Sequence, residues 1–244
     1  MNIMIIGGTS GIGLATAKHY LEAGHRVGVA GRDITRLDSQ MREQHPLLSC
    51  YQFDIGDAAA VKSAIGEFAD GSLDMLVVSA GFYADANTLR GSADTASQMM
   101  RTNIGGLYNA FDAASALMLP RQRGQLVAIA SIAGLLKEYP QSSLYSVTKR
   151  AVIGMCNAYR KMLAPFLIGV TVIVPGYVDT AKLRALNNGG AGHKPFLLTE
   201  QQAVAHIVEA IAQGKPAHSF PWQMRWMVGC FNCLPAWLKS VRKK

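Results

Sequence analysis

The chain has 244 residues, of which half are hydrophobic and 16% are charged, so a sizeable buried core is expected and disorder is not. The formal net charge is +8, but six basic residues follow Glu209, the last acidic residue, and they carry most of that excess. A nucleic-acid-binding protein would show a basic face on its folded body, so this distribution argues against that class and places the excess charge in a C-terminal tail.

Short apolar runs alternate with longer amphipathic stretches along the chain. In chain order, strands are predicted at 3–6, 27–30, 48–53, 75–78, 126–130 and 170–174, and helices at 12–22, 57–69, 95–119, 143–164 and 199–212, the last with Thr199 as its N-cap. This alternation indicates βαβ units with right-handed crossovers and helices on both faces. We therefore predict an α/β fold, a doubly wound parallel sheet, in a single domain over residues 1–244.

The first predicted strand runs into a glycine-rich turn with the spacing G-x3-G-x-G, and a predicted helix follows. Glycine allows a tight turn and a close approach to a pyrophosphate, and the helix N-terminus offers N–H groups and a positive dipole end to that anion. A dinucleotide site is therefore predicted here, with a tight turn that binds no ligand as the alternative. Its residues are Gly7, Thr9, Ser10, Gly11, Ile12 and Gly13.

The end of the second predicted strand carries no acidic residue and is followed by Arg32. An acid there would bind the free ribose hydroxyls of NAD, whereas an arginine can form a bidentate contact with the 2′-phosphate of NADP. Asp33 lies one step further and is expected to point away. We predict NADP(H) in preference to NAD(H), with Arg32 as a solvated loop residue being the alternative.

Three side chains suggest acid/base chemistry. Tyr145 and Lys149 lie one turn apart on one face of a predicted helix, and Ser131 ends a predicted strand at the sheet edge where ligands bind. A tyrosine has a pKa near ~10, and a neighbouring cation lowers it, so Lys149 together with the positively charged nicotinamide is predicted to lower the pKa of Tyr145. Ser131 would polarise a carbonyl oxygen while Tyr145 transfers the proton. By itself, Ser131 could equally be a turn-capping hydroxyl.

Together these motifs resemble the classical short-chain dehydrogenase/reductase family over nearly the whole chain. The resemblance implies a Rossmann-type fold and hydride transfer between a nicotinamide cofactor and a carbonyl or alcohol. It implies that Asn103 supports a proton relay through a water to Lys149, the alternative being a plain helix-interior asparagine. It also implies cofactor contacts from Tyr145, Lys149, Asp54, Ile55, Ser79, Ala80, Gly81, Pro175, Gly176, Val178 and Thr180.

This chain departs from the family pattern at Ile6, where a threonine is usual, and at Ser79, where an asparagine is usual. Both usual residues stabilise loops, so the departures bear on the rigidity of the cofactor site. A non-catalytic NADP-binding sensor or scaffold is the alternative function, but such relatives usually lose the tyrosine or the lysine. A sugar-nucleotide epimerase or dehydratase would need a larger C-terminal domain. The resemblance also implies a homodimer or homotetramer built through the helices 95–119 and 143–164.

The substrate side is less defined. Residues 181–198 contain a glycine-rich loop and are predicted to form a substrate lid, with 135–142 as a second specificity segment. Neither carries a charged cluster typical of a phosphate or carboxylate site. The expected substrate is a small carbonyl compound or alcohol, and a membrane contact would favour a lipophilic one.

The segment 215–244 is predicted to be a basic, aromatic tail that contains all three tryptophans, Trp222, Trp226 and Trp237. It is too short and too broken for a transmembrane helix. A peripheral membrane contact and packing on the body are both open, the latter as a lid or dimer interface. Cys230 and Cys233 have C-x-x-C spacing without a second ligand pair, so packing is favoured over zinc or redox chemistry and no metal is predicted. The N-terminus shows no secretory signal, and a cytoplasmic location is expected.

Overall fold

The computed structural model describes residues 1–137 and 143–235. Part of the predicted specificity segment 135–142 and the end of the predicted tail 215–244, including Trp237, therefore lie outside the described residues.

Seven parallel strands form one sheet in the order β3-β2-β1-β4-β5-β6-β7. The chain leaves β1 toward β2 on one side and returns to β4 on the other, which makes the edge between β1 and β4 a topological switch point. The predicted doubly wound parallel fold is confirmed. The strands are β1 Asn2–Ile6, β2 Arg26–Gly31, β3 Leu48–Gln52, β4 Met75–Val78, β5 Gly124–Ile129, β6 Ile168–Pro175 and β7 Ala217–Phe220.

Helices cover both faces of this sheet and build a separate core on each. The core on one face includes α3, α6 and α7, and the core on the other includes α1 and α9. Alternate residues of β1 enter opposite cores, Ile3 and Ile5 on one side and Met4 and Ile6 on the other. The helices are α1 Gly11–Glu22, α2 Ser39–Gln44, α3 Ala58–Ala69, α4 Ala86–Gly91, α5 Ala93–Met100, α6 Gly106–Met118, α7 Leu144–Leu163, α8 Ala181–Ala185, α9 Glu200–Ala212 and α10 Trp222–Cys233.

The predicted helical stretch 95–119 is confirmed, but it is divided by a turn that the sequence did not predict. The chain forms α5, then a π-helical turn over Arg101–Gly105, then α6. Asn103 lies inside this turn, where its side chain holds the backbone of Phe82 on the neighbouring loop. A π-turn adds one residue to a helical turn and is common at functional sites.

The predicted tail segment 215–244, as far as Pro235, packs on the body, which is one of the two alternatives that the sequence left open. Residues 217–220 form β7, an edge strand paired with β6, and Phe220 is buried. Helix α10 follows directly and buries Met224. The predicted N-cap Thr199 is confirmed, as part of a capping box with Gln202.

Across residues 1–137 and 143–235, no helix is both long enough and apolar enough to cross a bilayer.

The first testable prediction concerns Gly13, which lies in α1 close to the backbone of the glycine turn. A Cβ at Gly13 would stand 2.2 Å from the Gly7 carbonyl oxygen, whereas a Cβ at the helical Gly66 of α3 would meet nothing within 4 Å. Gly66→Ala should stabilise the protein by about 0.5–1 kcal/mol through helix propensity, and Gly13→Ala should destabilise it by more than that amount. Urea unfolding of both variants measures the sign of each change in the free energy of unfolding. Stabilisation by Gly13→Ala would contradict the observed packing.

Candidate active site

The predicted site residues gather along the carboxyl edge of the sheet. The turn after β1, the loop after β4, Ser131 after β5 and the segment after β6 all leave the sheet at this edge. Ligands of open α/β sheets bind there, beside the switch point.

The glycine turn packs against the loop that follows β4. Gly7 has a φ of +84°, and a Cβ there would stand 2.3 Å from the Ala80 backbone nitrogen. These glycines are therefore needed first for contact between protein backbones. The loops are also fixed without the family's usual side chains, because the Ile6 carbonyl accepts hydrogen bonds from the backbone N–H groups of Ser79 at 2.8 Å and Ala80 at 3.0 Å.

The N-terminus of α1 suits an anion. Its N-cap, Ser10, makes no side-chain cap hydrogen bond, and the first turn holds no acidic residue. Helices α3, α7 and α9 are instead capped by side chains. The first N–H groups of α1 and its positive dipole end are thus free of side-chain caps, which fits the pyrophosphate of a dinucleotide.

A cleft runs along the carboxyl ends of the strands, and cationic side chains lie at its end near β2. Arg32 is exposed after β2, while the Asp33 carboxylate is held in its own turn by the backbone N–H of Thr35 at 3.0 Å and by Arg36 at 3.3 Å. Thr9 fills the space that a side chain at Gly31 would need. This arrangement leaves Asp33 facing its own turn, as the sequence predicted.

Lys182 of α8 also lies in the cleft, and the sequence analysis missed it. Its side chain is largely exposed, yet its amine crosses the cleft and donates to the Gly81 carbonyl at 3.0 Å. Partial desolvation there and the positive charges of Arg32 and Arg36 lower the pKa of Lys182. A lysine in a short helix that carries no recognisable motif gives no sequence signal for this position.

The predicted cofactor residues after β3 lie in a tight turn. The Asp54 carboxylate accepts from the Gly56 backbone N–H at 2.8 Å, and the Ile55 side chain is buried against Gly106 of α6. At this position, only the Ile55 backbone and the remaining hydrogen-bond acceptor sites of the Asp54 carboxylate are available to contact a cofactor.

The segment after β6 forms the opposite wall. Gly176 donates its backbone N–H to Phe220 at 2.7 Å, and Val178 is buried. Thr180 caps α8 through the backbone N–H of Leu183 at 3.1 Å, and its methyl group stands 3.3 Å from a Cβ built on Gly11. The glycine turn and the segment after β6 therefore meet across the cleft.

The loop that begins at α8 is pinned at its base. Val178 and Leu198 form a bridge, with backbone hydrogen bonds from Asp179 to Leu198 at 2.8 Å and from Leu198 to Tyr177 at 3.0 Å. The predicted lid 181–198 thus leaves the body and returns to it at nearly the same point.

Ser131, Tyr145 and Lys149 come together beyond β5. The Ser131 hydroxyl accepts from the Ala133 backbone N–H at 3.3 Å, the turn-capping role, and also hydrogen-bonds the Tyr145 phenol. The buried Lys149 amine lies 5.8 Å from the centre of the Tyr145 ring and donates to the Ile129 carbonyl at 2.9 Å. The Tyr83 ring packs edge-on against the Tyr145 ring, with centroids 5.0 Å apart.

The protein alone does not lower the pKa of Tyr145, so the predicted joint effect of Lys149 and the nicotinamide stays a prediction. Burial of the phenol and the neighbouring Tyr83 raise the pKa of Tyr145, and only the hydrogen bond with Ser131 lowers it. Lys149 is itself the strongly shifted group, because burial and the charge of Lys182 lower its pKa to about 8. Sequence spacing showed that the two groups are neighbours but could not show how strongly each is desolvated.

Asn103 connects the loop after β4 to α7. Its side-chain oxygen accepts from the Phe82 backbone N–H at 2.7 Å, and its amide donates to the Phe82 carbonyl at 2.9 Å and to Thr148 at 3.0 Å. Both amide hydrogens are therefore used, which leaves one lone pair on the side-chain oxygen and excludes a plain, uninvolved helix residue. The same side chain lies close to Lys149 across Gly81.

In the described part of the chain, no group of three or more His, Cys, Asp or Glu side chains could hold a metal ion. Cys230 and Cys233 are exposed on α10, so the prediction that they pack inside is wrong.

Comparisons with known proteins agree on one family. The family model for short chain dehydrogenases matches residues 1–190. The dehydrogenase/reductase SDR family member 7B of Xenopus tropicalis is 30% identical over 223 residues, which cover 86% of this chain and 71% of the relative. A 3-oxoacyl-(acyl-carrier-protein) reductase of Chlamydia trachomatis is 29% identical over 76% of this chain and 77% of its own length.

A solved structure of the protein ElxO with NADP bound is also similar. It is 27% identical, covers 89% of this chain and 96% of its own, and has a TM-score of 0.78.

The second testable prediction concerns the burial of Lys149. Between a pKa of about 8 in the folded chain and 10.5 for an unperturbed lysine, the unfolded state binds a proton that the folded state lacks. The free energy of unfolding therefore rises with pH across that window. Below a pH of about 8, the folded state bears the whole cost of burying the charged Lys149 amine. Lys149→Met should thus be more stable than the wild type at about pH 7, by on the order of 1–3 kcal/mol, and the difference should shrink toward about pH 10.

Urea unfolding at both pH values measures this difference, with Lys18→Met on the exposed face of α1 as the matched control. A Lys149→Met variant that is less stable than the wild type at both pH values would contradict the predicted penalty.

Proposed function

Because the chain belongs to the short-chain dehydrogenase family and is therefore an oxidoreductase that uses NAD or NADP on small molecules, we propose that it interconverts a carbonyl and a secondary alcohol. The observation that carries this proposal is the hydrogen-bonded pair of Ser131 and Tyr145, with the Lys149 amine one helical turn away. When bound, the nicotinamide donates or accepts the hydride. The protein's own task is to bind the oxygen and to move the proton.

In the direction of reduction, the substrate oxygen accepts hydrogen bonds from Ser131 and from the Tyr145 phenol. The raised pKa of Tyr145 keeps the phenol protonated at neutral pH, which is the form that a general acid requires. As negative charge develops on the substrate oxygen, the phenol gives up its proton and Ser131 stabilises the remaining charge. In the opposite direction, the tyrosine must first lose its proton.

Lys149 and Asn103 are proposed to supply that proton and to remove it. A pKa of about 8 lets the Lys149 amine exchange protons near neutral pH. Asn103 fixes the loop that carries Gly81 beside this amine, and the free lone pair on its side-chain oxygen can accept from a bridging water. The relay implied by the family resemblance remains a proposal for this chain.

We propose NADP(H) as the preferred cofactor. Arg32 is free to contact a 2′-phosphate, Arg36 and Lys182 add positive charge nearby, and Asp33 is held in its own turn rather than offered to ribose hydroxyls. The family fingerprint places that phosphate beside the end of β2.

We further propose that 181–198 closes over the substrate and that the substrate is lipophilic. Leu186 and Phe196 in this loop expose 51% and 43% of their surfaces, and Tyr83 adds an aromatic wall beside Tyr145. Exposed apolar side chains around a polar reacting centre suit a ligand that is apolar except at its carbonyl.

Exposed apolar side chains on α6 and α7 support the proposed homo-oligomer. Tyr108 exposes 54% of its surface and Met162 exposes 55%. Contact between copies of these helices would cover them.

The third testable prediction removes the phenol oxygen. Tyr145→Phe should lower kcat by about 10²–10⁴ with NADPH and a panel of ketones, aldehydes and 3-oxoacyl thioesters, while NADPH binding persists. Tyr83→Phe makes the same chemical change one ring away and should cost much less. Turnover is followed by NADPH absorbance and binding by calorimetry. Unchanged turnover in Tyr145→Phe would refute the acid/base role, and a wild type that binds NADPH without turnover would indicate the sensor alternative.

The fourth testable prediction concerns Arg32. Arg32→Ala should weaken NADPH binding by about 10- to 100-fold, the equivalent of a charge-assisted contact of about 1.5–3 kcal/mol, and leave NADH binding nearly unchanged. Arg123→Ala is the control, because Arg123 is exposed just before β5, at the amino-terminal ends of the strands and away from the candidate site. Equal losses for the two cofactors would argue against a 2′-phosphate contact.

A further inference from the structure

Helix α10 has an inner face that is firmly attached to the body. Met224 is buried, and Val228 packs against the same core. Asn232 donates to the Leu135 carbonyl at 2.8 Å and accepts from the Lys137 backbone N–H at 3.0 Å. These contacts fix which side of the helix faces away from the protein.

The outer face of α10 is apolar and unusually exposed. Trp222 and Trp226 expose 71% and 68% of their surfaces, and Met227 exposes 49%. A stripe at spacings of three and four residues lines one open groove along the helix, comprising Trp222, Arg225, Trp226, Gly229, Cys230 and Cys233. We call this set the tryptophan stripe. Two tryptophans this exposed leave a large apolar area in contact with water.

The charged side chains of α10 and of the sequence that follows it are all basic. Arg225 lies within it, and no acidic residue follows Glu209 in the sequence. The described chain ends at Pro235, two residues after α10, and the nine residues beyond add four basic residues: Lys239, Arg242, Lys243 and Lys244. The partner of this surface must therefore accept tryptophan rings and carry negative charge.

We propose that the tryptophan stripe binds the surface of an anionic lipid bilayer, with α10 lying in the plane of the interface. Tryptophan rings favour the headgroup region, and nearby basic residues are attracted to anionic lipids. A second copy of this chain fits less well, because a two-fold contact through the stripe would bring Arg225 against its own equivalent.

The position of α10 ties this surface to the proposed active site. Leu135, bonded to Asn232, belongs to the turn that follows Ser131, and a Cβ at Gly176 would stand 2.4 Å from the Met224 sulfur. Helix α10 thus contacts both segments that flank the substrate side. Membrane binding would hold the substrate side of the proposed active site near the lipid, where a lipophilic carbonyl compound concentrates. This link to the substrate rests on the proposed function, whereas the proposed lipid binding does not.

Vesicle co-sedimentation tests the proposal with the full chain. Wild-type protein should sediment with vesicles of phosphatidylglycerol and phosphatidylcholine, and much less with pure phosphatidylcholine. Trp222→Ser combined with Trp226→Ser should weaken the binding at least about 10-fold, Arg225→Ala by about 5-fold, and salt should weaken it further. Leu47→Ser, at an exposed apolar residue just before β3 and therefore at the opposite edge of the sheet from β7 and α10, is the control and should bind like the wild type. Thermal unfolding checks that each variant is folded.

Absence of sedimentation, equal sedimentation of the double variant, or equal binding to neutral vesicles would overturn the proposal. So would a wild type that binds no vesicle but forms a larger oligomer than the double variant by light scattering, because the occupant would then be a second copy. NADPH turnover of a water-soluble ketone without vesicles, measured on the same samples, reports separately on the proposed function.

Discussion

The close approach of α7 to the end of β5 holds the candidate site together. A Cβ at Gly134 would stand 2.8 Å from the backbone of Lys149, so the turn after Ser131 lies directly on the helix that carries Tyr145. The Lys149 amine reaches back past that turn to the carbonyl of Ile129, inside β5. Serine, tyrosine and lysine come from two elements, and this one contact fixes their separation.

The same approach has an electrostatic consequence. Because the helix packs so tightly, the phenol and the amine are both withdrawn from water, and burial shifts their pKa values toward the neutral forms. Lys149 is therefore a buried amine whose pKa is lowered, and the protein alone does not acidify the phenol beside it. Natural sites often accept such destabilising groups in return for chemistry.

The sequence was sufficient for the main frame of the fold. Runs such as Met75–Val78 are continuous, apolar and fully buried, so six strands could be predicted from composition alone. The edge strand Ala217–Phe220 escaped, because His218 and Ser219 interrupt the apolar pattern and only Phe220 is buried. The π-turn around Asn103 escaped as well, since one extra residue in a turn leaves almost no trace in a helical period.

In the candidate site, residues that form a recognisable spacing motif could be predicted from the sequence. Residues that are far apart in the sequence and meet only in the fold could not. Lys182 is 101 residues from Gly81, and nothing local to either position predicts their hydrogen bond. The reason for the glycine spacing was likewise only partly visible, because the backbone that approaches Gly7 belongs to a loop more than seventy residues away.

The two ends of the loop 181–198 are joined by backbone pairing, so the loop can change conformation separately from the rest of the fold. Because the bridge between Val178 and Leu198 already brings its ends together, most of the entropy of loop closure is lost within the fold itself and does not recur each time the loop moves. Opening of the loop would break the Arg184–Asp179 ion pair at 3.7 Å and the hydrogen bond from Lys182 to Gly81, and it would expose the buried Ala191. In the proposed role of a lid, the loop would open as a hinged unit and leave the sheet in place.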